Sequence, residues 1–287
     1  MCRNMKKVLI TGSDGFIGNR LYHELAGYEV TTFDVNNGCV ASHDFIDTEV
    51  SHIFHLAALT SAPESWARPY DYYNVNVMGT VNVLEYCRMI GASMTYVTTY
   101  PYGVPQYIPI DELHPCTPNT IYNHSKYSAE GICRFYSENY NVSITVLRLF
   151  NVYGGGQSTS FLIPHIIKQA LFSPEIEVMD LEPKRDYVYI SDVIDALRLT
   201  TGKSGFSVYN IGSGESKSVQ EVCDYVVNII GTTKPIVSTG RKRKNEVTDI
   251  QADISKIRHE LYWVPKTSFI DGLTKTIQYY KQEGQSL

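Results

Sequence analysis

Residues 8–21 read VLITGSDGFIGNRL. A short apolar run leads into Gly12, Gly15 and Gly18, spaced three apart, and an amphipathic pattern then begins. A chain that leaves a strand through glycines and enters a helix presents backbone N–H groups that no helical carbonyl reaches, and these carry partial positive charge. With no side chains in the way they form a seat for a pyrophosphate. Gly12 permits the tight turn, Gly15 lets the backbone approach the phosphate, and Gly18 lets helix and strand pack closely. Three ordinary turn glycines would give the same string, so the surroundings decide. Asp34 stands at the end of a second strand-like run, YEVTTFDV. A carboxylate there accepts hydrogen bonds from both ribose hydroxyls of an adenosine and repels a 2′-phosphate. No arginine lies beside Asp34, so the pattern predicts NAD rather than NADP. Read alone, Asp34 would be a turn or helix-capping aspartate.

Strand-like and amphipathic stretches alternate through the first half of the chain, as in SHIFHLAA, SMTYVTT and SITVLRLF with helical runs between them. Repeated βα units predict an α/β fold: a Rossmann-type doubly wound parallel sheet covered by helices on both faces. After Asn151 the rhythm changes, with Gly154, Gly155 and Gly156 as a flexible connection. The expected division is a cofactor domain over 1–152 and 192–212, and a smaller C-terminal α/β substrate-binding domain over 153–191 and 213–287.

The 287 residues suffice for a sizeable core. A net charge of −5 argues against a nucleic-acid or polyanion binder. No apolar run reaches the roughly 20 residues a membrane span needs, and the start shows no targeting peptide. Six scattered cysteines, with no CxxC pair, fit reduced thiols in the cytoplasm and offer no metal-ligand spacing.

The stretch TIYNHSKYSAE places Tyr122 and Lys126 four residues apart, on one face of a predicted helix. A phenol titrating near 10 is a poor base at neutral pH, but a nearby ammonium favours the phenolate. Such a pair can move a proton to or from a sugar hydroxyl while a nicotinamide moves hydride. A surface tyrosine and lysine would show the same spacing. Upstream, YVTTYPYG ends a strand, where a threonine hydroxyl can bridge phenol and substrate; ligands bind at the carboxyl ends of such strands.

In order along the chain come TGSDGFIG, Asp34, HLAA, NVNVMGTVNVLE, VTTYPYG, YNHSK, LRLFNVYGGGQ, RDYVYISDV and NIGSG. This series resembles the extended short-chain dehydrogenase/reductase family, and within it the NAD-dependent nucleotide-sugar epimerases and dehydratases. The resemblance implies Thr98 as the catalytic hydroxyl, with Thr99 as its neighbouring substitute on the substrate side. It implies Tyr122 as general base and acid, and Lys126 as the holder of the nicotinamide ribose. Gly12, Gly15, Phe16, Ile17 and Gly18 match the pyrophosphate turn. Asp44 and Phe45 match the adenine pair, Leu56, Ala57 and Ala58 the wall of the cofactor cleft, and Asn76 a position near the nicotinamide. Asn151, Leu162, Arg185 and Arg243 match positions that meet the sugar nucleotide and its diphosphate. Arg243 lies in RKRK, which would otherwise be a solvated basic loop, and Arg185 could instead pair with Asp186. His55 reads as a buried structural histidine. The family also implies a homodimer through its two long helices.

Two departures stand out. The interval from Asp34 to His55 is short, and Tyr100 and Pro101 are unusual beside the threonines. Family 4,6-dehydratases carry Asp–Glu directly after the catalytic threonine, and decarboxylating relatives a glutamate near there. Here those positions hold Thr99 and Tyr100, which are no acid–base pair at neutral pH. The expected activity is therefore an NDP-hexose 4-epimerase acting through a 4-keto sugar. The alternatives are a 4-keto-6-deoxysugar reductase and a non-catalytic NAD-binding regulator.

Overall fold

Lys6–Thr11 buries four consecutive side chains, Val8 to Thr11, the pattern of a strand covered on both faces. The computed structural model describes residues 6–42, 49–242 and 247–285. The chain divides into two units. The first comprises the chain up to Gly103, Pro115–Leu149 and Ile194–Asn210; the second comprises Val104–His114, Phe150–Val193 and everything from Ile211 onward.

The first unit begins with β1 (Lys6–Thr11), α1 (Phe16–Glu24), β2 (Tyr28–Phe33), β3 (His52–His55), α2 (Ala62–Ser65), α3 (Pro69–Tyr73) and α4 (Gly79–Ile90). It continues with β4 (Ser93–Thr99), α5 (Ile121–Tyr140) and β5 (Ile144–Leu149). The second unit takes β6 (Asn151–Tyr153), α6 (Leu162–Phe172), β7 (Ile176–Val178) and β8 (Lys184–Tyr189). The chain returns to the first unit within α7 (Ile190–Leu199) and adds β9 (Phe206–Ile211). The second unit closes with β10 (Ser216–Ser218), α8 (Val219–Ile230), β11 (Ile236–Ser238), β12 (Asp249–Ile250), α9 (Ser255–Leu261) and α10 (Phe269–Gln285).

The first unit is a Rossmann-type sheet of six strands in the order β2-β1-β3-β4-β5-β9. Its pairings from β2 across to β5 are parallel. The described part of the short interval between β2 and β3 holds one 3-10 turn, Val35–Asn37. The core packs Leu9, Ile53, Met94, Tyr96 and Ile144 of the sheet against Val83, Leu84 and Cys87 of α4 and Ala129 and Cys133 of α5. The segment 71–91, one long helix by its periodicity, is interrupted by a π-helical turn over Asn74–Met78. Such widenings are frequent at functional sites, and this one carries Asn76.

Burial in this unit includes charge. Arg148 of β5 donates from Nε and Nη2 to the two carboxylate oxygens of Glu130 of α5, at 3.0 and 2.5 Å. Its Nη1 donates to the Tyr102 hydroxyl at 2.9 Å, which donates to Asn210 Oδ1 at 2.5 Å. The pair therefore ties α5 to the sheet and to the chain that follows β4. Two histidines of β3 are buried on opposite faces of the sheet. His52 is bonded to Ser93 (2.7 Å) and Thr95 (2.9 Å), His55 to Thr11 (2.7 Å) and Thr80 (3.0 Å).

In the second unit β8 is the hub. It pairs antiparallel with β10 and parallel with β12 and β6, while β7 and β11 form a separate ribbon. Ile163, Ile166 and Ile167 of α6, Val222 and Val226 of α8, and Leu273 and Ile277 of α10 form its core. Val104–His114 packs here rather than with the residues before it, because Ile110 exchanges backbone hydrogen bonds with Gln251 and Asp253, both 2.8 Å.

Removing one partner of a buried ion pair leaves the other charge uncompensated. Arg148→Met is expected to cost about 3–5 kcal/mol in urea unfolding, and adding Glu130→Gln should recover part of that loss. Burial lowers the pKa of both His52 and His55 to about 3. The unfolded chain then binds protons that the folded one refuses, between roughly pH 6.5 and 3. Stability contributed above about pH 6.5 is lost as the pH falls through that window. At pH 5 each histidine should cost about 2 kcal/mol, read as a lower urea midpoint than at pH 7.5.

Candidate active site

The glycine turn is built by backbone crowding. Gly12 has φ +77° and donates to the Phe33 carbonyl at 2.8 Å. A Cβ on Gly12 would stand 2.6 Å from the Ala57 nitrogen, and one on Gly18 would stand 2.0 Å from the Gly12 oxygen. Those two glycines are required by the protein's own packing. Gly15 differs. It is the N-cap of α1 at φ −70°, ψ 165°, angles open to any residue, and no side chain caps the helix. A Cβ there would meet only the Gly12 oxygen, at 3.3 Å. Phe16 and Ile17 follow, half-buried, as the first turn of α1.

Asp34, directly after β2, accepts from the Asp14 N–H at 2.7 Å and the Val35 N–H at 2.6 Å. It caps the 3-10 turn and also anchors the glycine turn at the carboxyl end of the sheet. Leu56, Ala57 and Ala58 leave β3 half-buried, with Leu56 and Ala57 held by N–H bonds to the Thr11 carbonyl (3.0 Å) and hydroxyl (3.4 Å).

Thr120 caps α5 by accepting from the Asn123 N–H at 3.0 Å, and Tyr122 and Lys126 follow it one turn apart. The Tyr122 phenol is hydrogen-bonded to Thr99 at the end of β4. The hydroxyl expected there was that of Thr98. The neighbouring Thr98 hydroxyl is buried and has no hydrogen-bond partner among the described residues. The partner of Tyr122 is therefore Thr99. Burial raises the Tyr122 pKa well above its ordinary value, the Thr99 bond pulls it back, and the phenols of Tyr100 and Tyr72 push it up. The Tyr72 ring meets Tyr122 edge-on at 6.4 Å, with its hydroxyl fixed on the Ser61 carbonyl at 2.6 Å.

Lys126 is buried, and desolvation lowers its amine to about 7. Its Nζ lies 4.3 Å from the centre of the Tyr96 ring. The lysine thus sits on an aromatic face, and the phenol finds its nearest bond in a threonine. Asn76 is fully buried. Its Oδ1 accepts from the Leu59 N–H at 2.8 Å, and its Nδ2 donates to the Leu59 carbonyl at 3.1 Å and to Ser125 Oγ at 2.9 Å. An amide so engaged braces the chain after β3 against α5.

In the second unit Asn151 opens β6, half-buried, in register with Tyr187 of β8. Leu162 is the first residue of α6, whose N-terminus has no side-chain cap. Arg185 donates to the Lys184 and Val247 carbonyls at 2.7 and 2.8 Å. It does not hold Asp186, whose carboxylate instead accepts from Ser213 N, Ser213 Oγ, Gly214 N and Ala252 N. Asp44, Phe45 and Arg243 lie outside the described residues.

Tyr96 and Tyr72, which hold the pair from below and beside, were not singled out in the sequence. The only signal was an aromatic two residues before Thr98, on the same strand face.

Residues 23–276 match the GDP-mannose 4,6 dehydratase family. UDP-glucuronic acid decarboxylase 1 of Xenopus tropicalis is 27% identical over 98% of this chain and 73% of its own length. The crystal structure of UDP-glucose 4-epimerase from Thermotoga maritima with UDP-glucose superposes with a TM-score of 0.92 at 27% identity, covering 96% of this chain and 99% of that one. The Thermus thermophilus UDP-glucose 4-epimerase complex with NAD gives 0.88 at 26%, covering 96% and 99%. With this match over most of its length, and the glycine turn and tyrosine–lysine helix in place, the chain belongs to the GDP-mannose 4,6 dehydratase family, among the nucleotide-sugar epimerases and dehydratases of the extended short-chain dehydrogenases/reductases.

Proposed function

We propose that this chain is an NAD-dependent nucleotide-sugar 4-epimerase. The observation that carries the reading is the Tyr122–Thr99 hydrogen bond at the carboxyl end of β4, with Lys126 one turn along the same helix. The positions after Thr98 hold Thr99 and Tyr100, so a carboxylic acid for eliminating water is missing from that strand end. The relatives include both a decarboxylase and epimerases, and it is this strand end that favours the epimerase.

The first unit fits a dinucleotide. Gly15 has less internal reason to be glycine than Gly12 or Gly18, since a Cβ there would press only on the Gly12 oxygen, at 3.3 Å, and it lies at the uncapped start of α1, where a pyrophosphate is best received. Gly12, Gly15, Phe16, Ile17 and Gly18 would hold the pyrophosphate, Asp34 the adenosine ribose, and Leu56, Ala57 and Ala58 the wall of the cleft. When bound, NAD supplies a hydride acceptor, and afterwards a donor, for the sugar carbinol carbon. Tyr122 takes the C4 hydroxyl proton and later returns it. Thr99 holds the phenol in line, and the unpartnered Thr98 hydroxyl is a second donor for the substrate oxygen. Lys126 would hold the nicotinamide ribose, and a charged amine there favours the phenolate. Inversion follows when the 4-keto sugar presents its opposite face before it is reduced again. Asn151, Leu162, Arg185 and Arg243 are proposed to meet the nucleotide diphosphate and sugar, and the family's homodimer is proposed for this chain.

Purified protein incubated with UDP-, GDP-, dTDP- and CDP-hexoses and followed by NMR should invert C4 without added reductant. A product formed only with added NADH or NADPH would instead make it a reductase. Tyr122→Phe should retain NAD and lose turnover about 10²–10⁴-fold; unchanged turnover removes Tyr122 from the mechanism. Gly15→Ala should weaken NAD binding in calorimetry by tenfold or more while the apo-protein melts within a few degrees of the parent. Gly18→Ala should lower the melting temperature itself, because its methyl meets backbone.

A further inference from the structure

Lys126 is buried at 2% exposure, and the groups that influence it are burial itself and the Cys133 thiol of its own helix. Glu130, one turn away and able by spacing to pair with it, is claimed through both oxygens by Arg148. A buried ammonium without a carboxylate must find its stabilisation elsewhere. It finds it on β4. The Tyr96 ring lies beneath Nζ at 4.3 Å, and the Tyr96 hydroxyl donates to the backbone carbonyl of Lys126 itself at 3.2 Å. One side chain thus holds the lysine at both ends. Tyr96 is itself wholly buried, hydrogen-bonded with Thr80 and stacked at 5.7 Å against His55. His55 is clamped between Thr11 and Thr80. The other titratable groups around this point are Tyr122, Glu130 and Cys133 of α5 and His55 of β3.

We propose that Tyr96 is a positioning residue of the proton-transfer site, its ring being the seat that sets where the Lys126 ammonium stands. Cation and ring attract most strongly where water is excluded, as here. The role rests on the reading of Tyr122 and Lys126 as the proton-transfer pair, while the contact beneath it does not.

Phe and Leu at position 96 both remove the hydroxyl, but only Phe keeps the aromatic face, so the two variants isolate the ring. In protein labelled at the lysine ε-carbon, the Lys126 resonance is assigned by its disappearance in Lys126→Met. It should be shifted upfield by the ring in the parent and in Tyr96→Phe. In Tyr96→Leu that shift should vanish and the amine's titration midpoint should fall by about one unit. With the sugar nucleotide that the parent turns over, Tyr96→Leu should lose about tenfold in kcat with little change in KM, and its pH–rate profile should move with the amine. Tyr96→Phe should stay near the parent. Circular dichroism melts of both variants report folding. An unshifted Lys126 resonance in the parent, or Phe and Leu variants that behave alike, overturns the proposal. If the NMR contact holds but Tyr122→Phe keeps full turnover, the proton-transfer reading fails, and the catalytic role of Tyr96 fails with it.

Discussion

A helix of twenty residues, α5, lies against the sheet with two side chains of opposite charge buried one turn apart, Lys126 and Glu130. Neither charge is tolerable in such surroundings without compensation. Left to themselves they would neutralise one another across the helix turn, and the lysine would then have no other task. Arg148, reaching over from β5, takes both oxygens of the glutamate. That pairing fixes α5 to β5 and leaves the lysine on an aromatic face instead of in a salt bridge. The two charges are thus divided: a structural arginine for the carboxylate, and an aromatic ring for the amine.

The surroundings continue the same logic. His55 lies near the lysine, and a second positive charge there would oppose it. Burial holds that histidine neutral, with both ring nitrogens occupied by threonine hydroxyls. The phenol of Tyr122 and the amine of Lys126 are themselves pushed by burial toward their neutral forms. Positive charge or hydrogen-bond donors brought near the phenol would shift it back toward its charged form. Asn76, released from regular helix geometry in the π turn, braces α5 against the chain after β3.

Much of this was legible in the one-dimensional pattern. Alternation of strand and helix periods implies a parallel sheet, and the glycine spacing marks its first crossover. The tyrosine and lysine share a helix face because four residues make about one turn. The choice between adjacent threonines was not legible, because both sit at the end of one strand and only the phenol's position selects between them. Nor was the role of Asn76, since an asparagine on a helix gives no sign of which neighbours its amide will meet. Arg185 beside Asp186 suggested a pair, yet neighbours along a strand point to opposite faces. The aspartate instead gathers backbone N–H groups from 213–214 and 252.

What the sequence by itself determined is local: periodicity, turn chemistry and spacing along a helix, all set by near neighbours and by backbone sterics. It placed the sheet, the phosphate-type turn and the phenol–amine face. Tertiary structure alone decided which hydroxyl the phenol bonds, which cation takes Glu130, and that Lys126 rests on Tyr96. These contacts join residues from separate elements, and burial makes their energies depend on every group that comes near. A short-range pattern cannot encode a choice of partner that is made only when strands and helices meet.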